Sequence, residues 1–196
     1  MSEKRIWAIG SIGIDMLAFT TTLPKPGETV AGRHFITAPG GKGLNQAIAA
    51  ARLGAPTSMV GCRGDDVFGE QVTRYLESAG VDVARVTAIP GAYTGTAVIF
   101  VAANGENSIV VVPGANGKVE AAEMANVPFS QGDIVMAQFE IPLEATLAAF
   151  RAARAKKART MLNPSPVLEG AEPLLALTDY LIVNEVELVV YSGKPV

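Results

Sequence analysis

Short apolar runs alternate with amphipathic segments along much of the chain. The runs have the length of buried strands and end at glycine or polar residues; they are 6–9, 57–62, 134–138, 160–162 and 180–183. The segments between them have helical composition and spacing, and two are followed by a terminating glycine; they are 43–53, 68–79, 143–157 and 173–177. Strands that alternate with helices predict an α/β protein with a parallel sheet and helices on its faces.

Two regions interrupt this alternation. Residues 19–35 carry several prolines and glycines among threonines and short apolar runs, which favours exposed β-structure and turns. Residues 94–101 and 108–112 are β-rich and are joined by a segment containing Asn104-Gly105, which favours a tight hairpin turn. We therefore expect a small β-subdomain attached to the α/β sheet.

Composition narrows the class of protein. Of 196 residues, 49 % are hydrophobic and 18 % are charged, which predicts a globular chain of one or two units. The 16 basic and 19 acidic side chains give a net charge of −3, so no basic surplus points to a nucleic-acid partner. One cysteine and one histidine exclude an internal disulfide and a zinc site built from these residue types. Cys62 lies in an apolar run and is expected to be a buried hydrophobe.

The chain shows no secretion signal, because glycines, Ser11 and Asp15 interrupt the first apolar stretch. It also contains no run of about 18 apolar residues that could span a bilayer. These features predict a cytoplasmic protein without a membrane partner. A new helix begins after Asn184, directly behind a strand, and a doubly wound sheet normally continues from such a point. The sequence is therefore expected to be the front part of a larger unit.

A glycine-rich stretch is the first candidate for chemistry. Gly40, Gly41 and Gly43 precede a helix, where glycine permits close backbone approach and the first N–H groups lack partners. It is not a Walker A loop, because Lys42 is followed by glycine rather than serine or threonine. The stretch either caps the helix or contacts a ligand through its backbone, Lys42 and Asn45.

Two carboxylates lie near the ends of predicted strands. Asp15 follows the first strand, and Glu140 follows the run 134–138. Ligands of open α/β sheets bind at this edge, although a turn-forming aspartate and a solvated glutamate are the simpler interpretations. Together with Lys42 and Asn45, the two carboxylates offer the donors and acceptors that a sugar requires.

Asn184 and Glu187 form a further pair, one helical turn apart. Their spacing allows both to reach one phosphate or a hydrated metal ion, and it equally fits a helix cap. Asp65 and Asp66 precede another predicted helix, and we interpret them as cap residues rather than metal ligands.

The stretch Gly40-Gly41-Lys42-Gly43-Leu44-Asn45-Gln46-Ala47, followed by Gly54, Gly61 and Gly64, resembles the first signature of the ribokinase-like (PfkB) carbohydrate kinases. Lys42 and Gln46 resemble the ribokinase branch in particular. Supporting matches run collinearly over nearly the whole chain; they are Gly10-Ser11-Ile12-Gly13-Ile14-Asp15, Pro26-Gly27-Glu28-Thr29, Gly64-Asp65-Asp66, Thr94-Gly95, Pro113-Gly114-Ala115-Asn116, Glu140-Ile141-Pro142-Leu143-Glu144, Asn163-Pro164-Ser165-Pro166 and Asn184-Glu185-Val186-Glu187.

The resemblance implies a ribokinase-like fold, with residues 1–196 as the N-terminal portion of one α/β domain and a β-lid formed by about 15–38 and 94–113. It implies ATP-dependent phosphorylation of a sugar hydroxymethyl group, ribose to ribose 5-phosphate in the nearest branch. It further implies a homodimer formed through the lid.

The resemblance also implies roles for individual residues. Those matching sugar-binding positions are Asp15, Gly41, Lys42, Asn45, Ala97, Ile99 and Glu140. Asn184 and Glu187 match the motif that organises Mg²⁺ and the ATP phosphates, with Glu187 acting on the metal through water. A monovalent cation such as K⁺ would bind outside residues 1–196.

Two departures from the family pattern qualify these implications. Gly13 stands where ribokinases usually carry a sugar-contacting asparagine, which leaves another sugar or a nucleoside open as the substrate. The family's catalytic base, in an Asp-Thr-x-Gly-Ala-Gly-Asp motif, would lie beyond Val196. Residues 1–196 alone are therefore expected not to turn over ATP. A non-catalytic sugar-binding or dimerisation module is the alternative from a different class.

Overall fold

The computed structural model describes residues 4–194, which form two sheets and the helices around them. The strands are β1 Ile6–Ile9, β2 Gly13–Thr20, β3 Gly32–Gly40, β4 Thr57–Gly64, β5 Val81–Ile89, β6 Gly95–Ala102, β7 Asn107–Val112, β8 Ile134–Ala137, β9 Arg159–Leu162 and β10 Tyr180–Leu181. The helices are α1 Lys42–Arg52, α2 Val67–Ser78, α3 Ala121–Met124, α4 Leu143–Ala155, α5 Glu172–Leu175 and α6 Glu185–Ser192, and a 3₁₀-helix spans Gly114–Lys118.

Within residues 4–194, the larger sheet has six parallel strands in the order β10-β9-β8-β1-β4-β5. This sheet and its helices confirm the predicted α/β class. The central strand β1 pairs with β4 on one side and with β8 on the other. Strand order therefore reverses beside β1, and the crevice at the carboxyl ends of β1 and β8 is the place where open α/β sheets bind ligands.

The alternation of side chains along β1 supplies a separate core on each face of the sheet. Ala8 belongs to the cluster that includes Leu44 of α1, whereas Trp7 and Ile9 belong to the cluster that includes Phe150 of α4. All five side chains are buried. Burial on both faces explains why the central strands have continuous apolar sequences that are easily recognised.

Cys62 is buried within the core that includes α4, as its apolar surroundings in the sequence predicted. Burial raises the pKa of its thiol to about 11, and the charges of Glu123 and Glu120 contribute to the increase. A thiol that stays protonated at neutral pH is a poor nucleophile, which agrees with a packing role.

The amino edge of the larger sheet is fastened through Asp133. Its carboxylate accepts hydrogen bonds from the Trp7 indole N–H at 2.9 Å, the Arg5 N–H at 3.0 Å and the Ser130 N–H at 2.9 Å. The Trp7 ring also meets Phe129 edge-on, with centroids 5.7 Å apart. These contacts hold β1 and β8 together at the end opposite the crevice.

The smaller sheet has the order β3-β2-β6-β7 among the described residues. Strands β6 and β7 form the predicted antiparallel hairpin, and β2 lies between β3 and β6. A turn was one interpretation of Asp15, but this residue lies within β2, which begins at Gly13 because the chain finds strand partners on both sides there. Strand β5 was not predicted, since exposed polar residues such as Asp82 and Thr87 break its apolar pattern.

The helices match the predicted segments closely, although α4 ends at Ala155, before Lys157 with its left-handed backbone at φ 58°. No helix within residues 4–194 is long and apolar enough to cross a bilayer.

Asp66 links the two sheets through α2. It is the N-cap of that helix, accepting from the Gly69 N–H at 2.8 Å, and it also accepts from the N–H and hydroxyl of Thr94 at 2.8 and 2.6 Å. This confirms the predicted capping role. Burial alone would raise the pKa of Asp66, but the hydrogen bonds from Thr94 and Gly69 outweigh it and hold the pKa below the usual value.

We expect Asp66→Asn to lower the free energy of unfolding at pH 7 by about 1–3 kcal/mol, because it weakens hydrogen bonds to a charged group. A carboxyl group whose pKa is lower in the folded than in the unfolded state stabilises the fold at pH values above its unfolded pKa. This stabilisation is lost as the pH falls through the folded pKa. The gap between wild type and Asp66→Asn should therefore narrow from pH 7 to pH 3 in urea titrations. The exposed neighbour gives the matched control, Asp65→Asn. An equal gap at both pH values would contradict the prediction.

Candidate functional site

A cavity of about 580 Å³ lies at the carboxyl edge of β1 and β8, between the two sheets. Its lining comes from five parts of the chain: the end of β1, the start of α1, the smaller sheet with the turn after it, the loop after β8 and the loop after β9. The lining residues are Ser11, Gly13, Ile14, Asp15, Gly41, Lys42, Gly95, Thr96, Ala97, Val111, Val112, Pro113, Asn116, Gly117, Phe139, Glu140, Ile141, Pro142, Ser165 and Pro166.

Glu140 joins three of these segments. One carboxylate oxygen accepts from the Ser11 hydroxyl at 2.5 Å and from the Lys42 N–H at 2.9 Å. The second N–H of the helix, on Gly43, lies 3.3 Å from the Ser11 hydroxyl oxygen. The carboxylate and Ser11 thus satisfy the first N–H groups of α1, and the negative charge is favourable beside the helix N-terminus.

Asp15 enters the cavity from the smaller sheet. It lies on β2 and pairs with Ala38 of β3 and Ala97 of β6. Gly40 leaves room for it, since a Cβ there would lie within 2.2 Å of the Asp15 Oδ1. Burial raises the pKa of Asp15, and the charge of Glu140 raises it further.

Lys42 brings a positive charge to the same cavity. Its ammonium nitrogen lies 4.0 Å from the second carboxylate oxygen of Glu140, and both side chains are partly exposed. An ion pair at this distance and exposure is weak, so the ammonium group can turn to a ligand at small cost.

The local structure explains two glycines at this point, Gly41 just before α1 and Gly43 in its first turn. Gly41 adopts φ 95°, a left-handed conformation that L-residues rarely take. A Cβ on Gly43 would lie 2.6 Å from the carbonyl carbon of Gly10, so only glycine lets α1 lie this close to the end of β1. The glycine-rich stretch therefore serves packing and also exposes Gly41 and Lys42 to the cavity.

The structure brings five of the predicted sugar-binding residues to the cavity: Asp15, Gly41, Lys42, Ala97 and Glu140. Asn45 and Ile99 do not line it. Asn45 is exposed on α1, because Leu44, Ala47 and Ile48 form the buried stripe of that helix. Ile99 lies two residues beyond Ala97 on β6, so it shares the face of Ala97 but lies farther from the crevice.

Asn184 and Glu187 form a capping box at the start of α6 and do not line the cavity. The Asn184 side chain accepts from the Glu187 N–H at 2.8 Å, and the Glu187 carboxylate accepts from the Asn184 N–H at 3.0 Å and its amide group at 3.1 Å. Mg²⁺ keeps several waters and takes few protein carboxylates. Each Glu187 oxygen accepts one hydrogen bond and keeps a lone pair that could accept from a metal-bound water, while the residue is only 5 % exposed.

Residues 4–194 contain no cluster of three or more histidine, cysteine or acidic side chains that could hold a metal ion by itself.

Several residues at the cavity were not singled out from the sequence. Ser11 and Asn116 occur in motifs, but their partners are 129 and 104 positions away along the chain. Val111 could have been found from the hairpin register, because it lies opposite Ala97 on the same face. The cavity thus combines two carboxylates, one ammonium, one amide and three hydroxyl groups with apolar walls, which suits a small ligand rich in hydroxyl groups.

A family model described as pfkB family carbohydrate kinase matches residues 3–196. Among curated proteins, the ribokinase of Haemophilus influenzae is 34 % identical over 196 residues, covering 99 % of this chain and 64 % of that protein. The deoxyribokinase of Salmonella typhi is 36 % identical over 194 residues, covering 97 % and 63 %. The chain thus spans less than two thirds of the length of these relatives.

Among solved structures, the ribokinase of Arabidopsis thaliana complexed with ribose and ATP superimposes with a TM-score of 0.87 at 30 % identity. The match covers 100 % of this chain and 64 % of that one. Fold and sequence therefore agree, and the chain belongs to the pfkB family of carbohydrate kinases.

Proposed function

We propose that this chain is the sugar-binding part of an ATP-dependent sugar kinase, with D-ribose converted to D-ribose 5-phosphate as the leading reaction. The observation that carries the proposal is the convergence of Asp15, Lys42 and Glu140 in one cavity at the switch point of the sheet. The ribose and ATP in the Arabidopsis ribokinase structure, at 30 % identity, support the assignment.

In this proposal the three polar side chains hold the sugar. The carboxylates of Asp15 and Glu140 accept hydrogen bonds from sugar hydroxyl groups, and the Lys42 ammonium donates to a sugar oxygen. Glu140 has one oxygen for this purpose, because the other accepts from Ser11 and the Lys42 N–H. Several fixed partners orient the hydroxymethyl group for transfer of the γ-phosphoryl group.

The nucleotide side of the reaction involves Asn184 and Glu187. Mg²⁺, when bound with ATP, neutralises charge on the phosphates. Glu187, held by the Asn184 amide, would accept a hydrogen bond from a water on that metal. The smaller sheet acts as the lid over the sugar and excludes water, which protects the phosphoryl group from hydrolysis.

The identity of the sugar is the finer part of the proposal. A Cβ at Gly13 would lie 2.7 Å from the Gly95 carbonyl oxygen, so this position contributes no side chain to the pocket. With one hydrogen-bonding group fewer, the pocket discriminates less among sugars. The similarity to a deoxyribokinase supports 2-deoxyribose as an alternative substrate, and a nucleoside is a further one.

Residues 1–196 are expected to bind sugar only weakly and not to turn over ATP, because they contain no Asp-Thr-x-Gly-Ala-Gly-Asp motif to supply the base that accepts the hydroxyl proton. Calorimetry with D-ribose, 2-deoxyribose and adenosine should give binding of at least one ligand. An assay of ADP release should give no sugar-dependent rate. Release at about 1–100 s⁻¹, as in ordinary kinases, would overturn the second expectation, and no binding of any ligand would overturn the first.

The coding sequence after codon 196 distinguishes the kinase from the alternative of a non-catalytic module. A frame that continues past codon 196 into an Asp-Thr-x-Gly-Ala-Gly-Asp motif supports the kinase. A stop codon at that point supports a sugar-binding or dimerisation module.

Sugar affinity is expected to fall in acidic solution, because protonation turns one Asp15 oxygen into a donor and weakens the hydrogen bond that it accepts from the sugar. The raised pKa of Asp15 places this loss at a higher pH than an ordinary aspartate would, and Glu140→Gln should lower that pH by removing a neighbouring charge. Calorimetric titrations with D-ribose between pH 4 and 8 check this.

The stability of Asp15→Asn tells a binding defect from a folding defect. A carboxyl group whose pKa is raised on folding destabilises the folded state once the pH is high enough to ionise it. Asparagine removes this charge, so Asp15→Asn should unfold at the same or a higher urea concentration than wild type at pH 7. Its sugar affinity should fall by about tenfold or more. Loss of both affinity and stability would argue against the role given to Asp15.

The proposal includes a homodimer formed through the smaller sheet. Its outer strands β3 and β7 carry exposed apolar side chains, including Phe35, Ile109 and Val110, the last 59 % exposed. Light scattering after size exclusion should give twice the chain mass of 20.4 kDa. Val110→Glu should yield a monomer, whereas Leu53→Glu, at an exposed site on the distant end of α1, should not. A wild-type monomer would contradict the dimer.

A further inference from the structure

Asn116 is a buried side chain between the two sheets that the proposed sugar contacts do not use. It lies in the 3₁₀-helix after β7 and is only 5 % exposed. Its amide makes two hydrogen bonds to one residue: the oxygen accepts from the Ile12 N–H and the nitrogen donates to the Ile12 carbonyl oxygen, both at 2.9 Å. A side-chain amide can do both because it carries a donor and an acceptor.

Ile12 is the point where the chain passes from the larger sheet to the smaller one. It lies between the end of β1 and Gly13, the first residue of β2, and its side chain is fully buried. Ser11, directly before it, donates to Glu140. Asp15 follows three positions later. The backbone at Ile12 therefore lies between Ser11, which holds Glu140, and Asp15, so its position affects both carboxylates of the cavity.

The same amide also touches the start of β6. A Cβ on Gly95 would lie 2.3 Å from the Asn116 amide nitrogen, so glycine is required for this approach. The 3₁₀-helix is itself fastened to the segment before β6, since the Ala115 N–H donates to the Tyr93 carbonyl oxygen at 2.8 Å. Asn116 thus contacts the residue directly before β2 and the first residue of β6, which are neighbouring strands of the smaller sheet.

We propose that Asn116 is a positioning residue that sets how the smaller sheet joins the larger one, and through this the placement of Asp15 relative to Glu140. The inference rests on the proposed sugar site. Asn116 acts through Ile12 and needs no contact with the sugar itself. A shift of a binding group by about 1 Å can cost up to about a hundredfold in function, so a joint of this kind can decide affinity.

The test compares Asn116→Asp and Asn116→Ala with a control of similar burial. An ionised aspartate has the volume of asparagine and can accept from the Ile12 N–H, but it cannot donate to the Ile12 carbonyl oxygen. The control is Asp133→Asn, at a buried residue that accepts three hydrogen bonds at the opposite edge of the sheet. Each variant is titrated with D-ribose by calorimetry and unfolded with urea at pH 7.

All three variants should lose stability, but only those at Asn116 should lose affinity. We expect the Kd for D-ribose to rise about tenfold or more in Asn116→Asp. In Asp133→Asn it should change less than about twofold, since distant sites act independently. Unchanged affinity in folded Asn116→Asp would overturn the inference and leave Asn116 with a structural role only.

Amide hydrogen exchange over residues 11–15 gives a second measurement that needs no sugar. Exchange should accelerate in Asn116→Asp by more than its loss of global stability accounts for, and in Asp133→Asn by no more than that variant's loss of global stability accounts for. If wild type binds no D-ribose, the proposed ribose site fails, and this measurement decides the role of Asn116. Equal exchange in wild type and in all variants would overturn the role of Asn116. The measurement on Asn116→Asp also serves if Asn116→Ala does not fold.

Discussion

The carboxylate of Glu140 sits where three distant parts of the chain meet, and the shape of the site depends on it. One oxygen receives the Ser11 hydroxyl and the first N–H of α1. Without it, those donors would be left unsatisfied at the start of a helix that lies against the sheet. The other oxygen remains for the ammonium of Lys42 or a ligand. One side chain thereby serves folding and recognition at once.

The charge balance of the cavity follows from this arrangement. Two carboxylates and one ammonium share a partly buried space, and the folded chain holds Asp15 with a raised pKa because of burial and the charge of Glu140. A polyol whose hydroxyl groups donate hydrogen bonds to both carboxylates would replace the hydrogen bonds from water that the carboxylates lose on burial. The site is thus better matched to a neutral, hydroxyl-rich ligand than to an anion.

Much of the fold was predictable because its signals are local. The apolar runs of β1 and β8, the alanine-rich α1 and the hairpin of β6 and β7 all have short-range patterns. Strand β5 and the early start of β2 were missed because pairing with neighbours, rather than their own composition, makes them strands.

The candidate site was predictable in part. The resemblance to a family pointed to Asp15, Lys42 and Glu140, which the structure brings together. No local pattern shows that Asn116 reaches Ile12 or that Ser11 reaches Glu140, because these contacts join residues more than 100 positions apart. The exposure of Asn45 was available from helical periodicity, since its neighbour Leu44 belongs to the buried stripe.

The position of Trp7 has a practical consequence for spectroscopy. It is the chain's single tryptophan, and it is buried beside Phe129 and Asp133 at the amino edge of the sheet, away from the cavity. Its emission is therefore expected to report on the integrity of the core and to change little when a ligand occupies the crevice. A fluorescence change on adding a small molecule would therefore signal a rearrangement that crosses the whole sheet.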